Sequence, residues 1–350
     1  MEAVVLVGGQ GTRLRPLTLS TPKPMLPVAG VPFLTHQLTR LAAAGAAHVV
    51  LATSYRSEVF VDYFGDGSRL GLDLEFATET EALGTGGGIR NVAPLLRSAP
   101  DDPVLVLNGD VLSGHDMARQ VAQHRETGAD VTLYLVEVED ARAFGCVPTD
   151  ADGRVLGFVE KSPDPPTNRI NAGCYVFRRS VIDAIPPGEV VSVERDTFPG
   201  LVASGARVMS YLQPAYWLDV GNPRALVRGS ADVVLGRVPG AFVASPGESL
   251  VDASAAVDGA VLTAGTSVGA GAVIAPGAEV IGSIVMSGAR VGAGTSIADA
   301  VIGTGAVVGA DCIVRDAVVG DGAEVGDRNE LTGGARLWSR ATLEPGALRF

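Results

Sequence analysis

Ala3-Val4-Val5-Leu6-Val7-Gly8-Gly9-Gln10-Gly11-Thr12-Arg13 is an apolar run that breaks into three glycines within four positions. A short run rich in valine reads as a buried strand, and the glycines read as a turn at its carboxyl end. Glycine lets a backbone approach an anion closely, and successive amides can then point at phosphate oxygens. The stretch has neither the Gly-Lys-Ser/Thr of a Walker loop nor the GxGxxG spacing of a dinucleotide fingerprint. Alone, it is a tight turn before it is a phosphate cradle.

Further along, apolar runs alternate with helical segments. Residues 33–44 read as a helix, 48–53 as a second strand, and 104–107 as a central strand ending at Asn108-Gly109-Asp110. Residues 131–138 and 172–177 read as later strands. This alternation predicts an α/β, Rossmann-like, mainly parallel sheet flanked by helices over residues 1–235. Ligands of such sheets bind beyond the carboxyl ends of the strands, and 8–13, 108–110 and Asp219 all follow strand-like runs.

From residue 236 onward charge falls and Gly, Ala and Val dominate. Val268, Ile274 and Val280 recur six apart, and the triplet returns at intervals of 17 as Val285/Val291/Ile297, Ile302/Val308/Val314 and Val319/Val325/Leu331. A hexapeptide period with small residues after the apolar ones means short strands turning three times per coil, each coil burying its apolar residues against the next. A disordered tail would not keep valine in phase, so residues 236–350 are expected to form a left-handed parallel β-helix.

The formal net charge is −12. Such a chain does not wrap nucleic acid, which needs many phosphate-neutralising cations. Of its 27 basic residues only Lys23 and Lys161 are lysine. A compact ammonium and a planar guanidinium are not interchangeable around a phosphate, which marks these two positions. Three widely spaced cysteines form neither a disulfide framework nor a zinc pattern, and no leader or membrane span is evident. The expectation is a soluble cytoplasmic protein with no membrane partner.

After the glycine loop come Ser20-Thr21-Pro22-Lys23-Pro24-Met25, then Glu79-Thr80-Glu81-Ala82-Leu83-Gly84-Thr85-Gly86-Gly87 and Asn108-Gly109-Asp110. Further motifs are Phe144-Gly145-Cys146-Val147, Val159-Glu160-Lys161, Asn171-Ala172-Gly173-Cys174-Tyr175 and Trp217-Leu218-Asp219-Val220-Gly221. In this order they resemble the sugar-1-phosphate nucleotidyltransferase family. The stretches 17–24 and 192–199 are most similar to its GDP-mannose pyrophosphorylase branch. Gly86-Gly87-Gly88 is more glycine-rich than the usual form, and Cys146 and Cys174 replace positions more often aliphatic.

The resemblance implies transfer of a nucleotidyl group to a sugar-1-phosphate with release of pyrophosphate. The substrates it favours are GTP and mannose-1-phosphate; thymidylyl or adenylyl transfer to glucose-1-phosphate, and a non-catalytic regulatory subunit, remain alternatives. It places Arg13, Lys23, Asp110 and Lys161 in catalysis. Val7, Gly8, Gly9, Gly11, Thr12, Arg13, Glu81, Gly84, Thr85, Asn108 and Gly109 would bind the nucleotide. Gly145, Glu160, Lys161, Asn171 and Trp217 would bind the sugar phosphate, and Asp110 and Asp219 a Mg²⁺ ion. Taken singly, Asp110 is equally a helix cap, Lys161 a solvated partner of Glu160, and Trp217 core.

Hexapeptide acyltransferases are a rival class, because they place a histidine between coils. This chain's four histidines, His36, His48, His115 and His124, all precede the repeat. The β-helix is therefore expected to serve assembly and stability, joining subunits into a homo-oligomer.

Overall fold

The computed structural model describes residues 1–54, 56–243 and 245–349, with Glu160 described by its backbone alone. Two compact units emerge, and neither is continuous in sequence. One comprises residues 1–9 and 37–217, the other 10–36 and everything described from 218 onward.

The first unit is built on a nine-stranded sheet. Four strands run parallel in the spatial order Pro103–Asn108, Glu2–Leu6, His48–Thr53 and Asp73–Thr78. Val4, Val5, Val50, Leu51 and 104–106 are wholly buried, as continuous apolar runs covered on both faces must be. Arg169–Arg178 adds antiparallel to Pro103–Asn108 and to Val131–Glu137, and Val208–Leu212 runs parallel to Val131–Glu137. Arg169–Arg178 is longer than the expected 172–177 because strands pair with it on both edges. The short strands Gly145–Cys146 and Val159–Glu160 complete the sheet. The helix beginning at Phe33 ends at Ala43.

In the second unit, three parallel sheets of six, five and five short strands stack coil upon coil, consistent with the left-handed β-helix. Val268 pairs with Val285, Val285 with Ile302 and Ile302 with Val319. The series from Ile274 and from Val280 pair in the same register, so every apolar position of the repeat stacks on its successor 17 residues on. The last turn is one residue longer, with Val319 opposite Leu337. Successive coils come so close that a methyl on Gly292 would lie 2.5 Å from the Gly309 carbonyl carbon. Helix Pro223–Val234 packs beside the coils; its Asn222 cap accepts from Ala225 N, and Ser230 Oγ accepts from Ala29 N at 2.9 Å.

All four histidines are at most 5% exposed. His115 stacks on Tyr134 with ring centroids 3.8 Å apart and shares hydrogen bonds with Ser113 and Gln120. Burial, reinforced by Arg40, holds its pKa down to about 3, and burial with Arg178 nearby holds His124 down to about 4. Both stay neutral in the fold, whereas the unfolded chain protonates them below their ordinary value of about 6.5. Between pH 6.5 and 4 the unfolded state binds more protons, so stability is present above that window and falls through it on acidification. The thermal midpoint is expected to be lower at pH 5 than at pH 7.5, with a shallower slope in His124→Gln; equal slopes in calorimetry would exclude this cause.

Candidate functional site

The site begins where two parallel strands end level with one another. Leu6 is in register with Asn108, so Val7–Gly9 and Gly109–Asp110 leave the sheet side by side. Gly109 N donates to Leu6 O at 2.9 Å, and a methyl at Gly109 would lie 2.5 Å from that same oxygen. Only glycine closes this crossing. Val7 N continues the ladder to Ala52 O, Gly8 lies over Ser54, and Gly9 has φ +109°, open to glycine alone. Asp110 occupies the turn between Pro103–Asn108 and Val111–Ser113. It is not a helix cap. Gln37, which sequence reasoning missed, clamps this turn by donating Nε2 to Asn108 O and Val111 O, both at 2.9 Å.

Beside these strand ends lies the glycine-rich helix Gly84–Val92. Its glycines answer to the segment 189–194. A methyl on Gly84 would lie 2.7 Å from Val191 O, on Gly87 2.5 Å from Glu189 O, and on Gly88 2.6 Å from Glu79 Oε1. The neighbours of Gly84 and Gly87 are backbone atoms, whereas that of Gly88 is the tip of a side chain. Thr85 donates its hydroxyl to Glu194 at 2.9 Å and accepts from Val193 N, while Ser192 also donates to Glu194. Glu81 and Gly84 are exposed at the head of this helix. Burial raises the Glu79 carboxyl above its ordinary pKa.

The expected sugar-phosphate residues converge. Gly145 pairs with Glu160 in a two-residue ladder, and Lys161 N donates to Phe144 O at 3.2 Å. The side chain of Glu160 lies outside the described residues. The Phe144 ring meets Trp217 edge-on at 5.6 Å, and Trp217 Nε1 donates to Ala172 O at 3.0 Å. Ala172 belongs to a bulge between Asn171 and Tyr175, where the strand register shifts. Asn171 Oδ1 accepts from Gly173 N and Nδ2 donates to Tyr175, so the bulge holds the Asn171 side chain in place. Gly173, at φ +73°, presses against Asn108; a Cβ there would be 2.9 Å from Asn108 Nδ2. Thus Asn171, Trp217, Gly145, Lys161 and Asn108 form one contiguous set. Lys161 itself is exposed at φ +45°, a left-handed conformation that a lysine adopts only when its surroundings impose it.

The second unit carries Gly11, Thr12, Arg13, Lys23 and Asp219. Gly11 (φ +57°) opens the turn Thr12–Leu14, and Thr18 Oγ1 closes it by donating to Gly11 O at 2.9 Å. A methyl on Gly11 would touch the Lys23 side chain at 3.1 Å. Gly221 plays a like part for Arg13: a methyl there would lie 2.7 Å from the guanidinium and 3.0 Å from Asp219 Oδ1. Arg13 and Asp219 therefore both lie over the same side of Gly221. Gly221 closes the 217–221 motif, but nothing in that motif marks it for this part.

Among the described residues no group of three or more His, Cys, Asp or Glu converges. That is compatible with Mg²⁺, which takes one or two carboxylates together with waters and substrate phosphates. Asp110 in the first unit and Asp219 in the second each carry a hard carboxylate oxygen, and Asn108 Oδ1, two residues before Asp110, is buried with no hydrogen-bond partner among the described residues.

The pattern of the nucleotidyl transferase family matches residues 2–234, and that of the GMPPB C-terminal domain matches residues 245–337. Mannose-1-phosphate guanylyltransferase of Mycobacterium tuberculosis is 58% identical over 287 residues, 81% of this chain and 79% of that one. The catalytic subunit beta of mannose-1-phosphate guanylyltransferase from Drosophila pseudoobscura is 39% identical over 65% of this chain, which spans 61% of that relative's length. Among solved structures, HddC from Yersinia pseudotuberculosis, complexed with GMP-PN, superposes with a TM-score of 0.58 at 28% identity over 66% of this chain and 99% of that one. A putative glucose-1-phosphate thymidylyltransferase from Bacillus anthracis shares the fold, with a TM-score of 0.60 at 21% identity over 66% of this chain and 94% of that one. The glycine-rich strand ends and the ordered motifs around them thus belong to a member of the nucleotidyl transferase family, a sugar-1-phosphate nucleotidyltransferase.

Proposed function

We propose that this enzyme transfers the guanylyl group of GTP to mannose-1-phosphate, giving GDP-mannose and pyrophosphate. The observation that carries the proposal is the contiguous set of Gly145, Lys161, Asn171 and Trp217 beside Asn108. The choice of guanine and mannose is supported by the 58% identical mycobacterial relative.

A phosphate oxygen of mannose-1-phosphate attacks the α-phosphorus of GTP, and the bond from that phosphorus to the bridging α–β oxygen breaks in line. The electron pair leaves with pyrophosphate. The attacking phosphate has a second pKa of about 6 and is already anionic near neutrality, so no strong general base is required. The deep burial of all four histidines accords with that. What remains is to position two polyanions and relieve their repulsion.

In this reading Arg13 stabilises the leaving phosphates and Lys23 lies near the reacting ones. Val7, Gly8, Gly9, Gly11 and Thr12 offer backbone to the triphosphate. Glu81, Gly84 and Thr85 line the base and ribose, and Asn108 and Gly109 also bind the nucleotide. Lys161 holds the sugar phosphate, Glu160 a sugar hydroxyl, and Gly145, Asn171 and Trp217 shape the sugar pocket. The family uses a divalent metal, and Mg²⁺ is the ion assigned here, with Asp110 and Asp219 as its protein ligands. When bound, it neutralises charge on the phosphates. Three buried, unpaired cysteines, among described residues in which no helix is long and apolar enough to cross a membrane, support a cytoplasmic setting. A homo-oligomer joined through the β-helix completes the proposal.

Pyrophosphate release, assayed across four nucleoside triphosphates and several sugar-1-phosphates, is expected to be fastest for GTP with mannose-1-phosphate; a better pair elsewhere in that matrix would reassign the substrates. Excess chelator should abolish turnover and added Mg²⁺ restore it, whereas unchanged turnover would remove the metal. Lys161→Ala should raise KM for the sugar phosphate about tenfold or more, the order expected for losing a charge-assisted contact, and leave KM for the nucleotide nearly unchanged. Equal rises in both would count against its role.

A further inference from the structure

Arg336 lies on the strand Arg336–Leu337 in the long final turn of the β-helix, 323 residues from Arg13. Its Nη1 donates to Arg13 O and to Arg15 O, each at 2.8 Å. These carbonyls flank Leu14, at the end of the turn that Gly11 opens. One guanidinium nitrogen thus bridges residues i and i+2 of the glycine-rich loop. The segment's own ties are local, from Leu14 N to Gly11 O, Arg15 N to Thr12 O, Leu19 N to Pro16 O, and the Thr18 hydroxyl to Gly11 O.

Two more anchors lie on neighbouring turns of the same β-helix. Ser20 Oγ donates to Asp321 Oδ2 at 2.5 Å, while Asp321 Oδ1 accepts from Thr304 N one coil away. Pro16 sits against Gly320, where a Cβ would come within 3.0 Å of Pro16 Cγ. The Gly221 backbone near the Arg13 guanidinium is tied to the β-helix through a neighbour in sequence. Gly221 precedes by three residues Arg224, which donates to both oxygens of Asp316 at 2.7 and 2.6 Å. A charged donor on two carbonyls is directional and strong, and it fixes backbone oxygens that the local turns leave without a partner of their own among the described residues.

We propose that Arg336 is a positioning residue for the transfer reaction, holding the backbone of residues 13–15 so that the Arg13 side chain is set beside Asp219 and Gly221. The inference rests on the role given to Arg13 under the proposed function. It also changes what the β-helix does: beyond assembly, its final turns form the seat of the catalytic loop.

Arg336 is exposed, so Arg336→Met and Arg336→Lys in the full chain should leave the fold intact, and Ser20→Ala removes the second anchor by a separate change. Arg336→Met is expected to lower kcat about tenfold or more, as sub-ångström misplacement of a reacting group does, with KM for mannose-1-phosphate within about twofold. Arg336→Lys, which keeps a donor without the planar fork, should recover part of kcat. Amide hydrogen exchange over residues 12–20 should accelerate in Arg336→Met and Ser20→Ala alike, whether or not substrate is turned over. A kcat in Arg336→Met within about twofold of the parent, a value too small for misplacement of a reacting group, overturns the proposal. So does unchanged exchange over 12–20. Absence of turnover in the parent with every nucleotide and sugar phosphate would instead overturn the function assigned to the enzyme, and the exchange measurement would still decide the part played by Arg336.

Discussion

The hydrogen bond from Gly109 N to Leu6 O, 2.9 Å long, holds two neighbouring parallel strands level where they leave the sheet. Without it the glycine segment and the Asn108-Gly109-Asp110 turn would have no common floor. The bond demands glycine, since a methyl would collide with the acceptor oxygen itself. Its consequences spread outward through residues that contact that floor. Gln37 clamps the turn at Asn108 and Val111, Gly173 presses on Asn108, and the bulge around Gly173 holds Asn171 and offers the Ala172 carbonyl to Trp217.

Close backbone approach is the recurring device of this protein. In the first unit it joins Gly84, Gly87 and Gly88 to the segment 189–191 and to Glu79; in the second it stacks Gly292 on Gly309 and seats Gly320 under Pro16. At Gly87 and Gly292 the neighbour is backbone and excludes a Cβ, so glycine there acts by its lack of volume more than by flexibility. A chain with 45 glycines loses much conformational entropy on folding. The apolar β-helix core, with Val280, Ile297, Ile302, Val314 and Val319 wholly buried, offsets part of that cost.

The two lysines differ in setting. Lys23 lies in a tight turn packed on Gly11, whereas Lys161 follows an edge strand at a left-handed backbone angle. Arginine replaces lysine at every other basic position. An ammonium is a point charge that a phosphate can meet from many directions, while a guanidinium brings a fixed plane. Arg13 rests its guanidinium beside Asp219 over Gly221, and Arg336 bridges two carbonyls through one nitrogen.

Patterns local in sequence were legible before any coordinates. Strand and helix positions followed from apolar period, and the 17-residue repeat yielded the stacking register of the β-helix residue by residue, because each coil can bury its valines only on the next. The ordered motifs marked Gly145, Lys161, Asn171 and Trp217, which the fold then gathers into one set. What sequence could not disclose were contacts whose partners are far apart and chemically ordinary. Gln37 on Asn108, Glu194 on Thr85, and the glycines facing 189–191 follow no spacing rule. Arg336 is one of 25 arginines, and only the coil stacking that carries it to Arg13 and Arg15 distinguishes it from the rest. Periodicity determined the elements, and the resemblance carried by the ordered motifs implied the reaction class; close packing of distant segments decided which backbone atoms meet, because that depends on where the chain returns and not on what lies next to it.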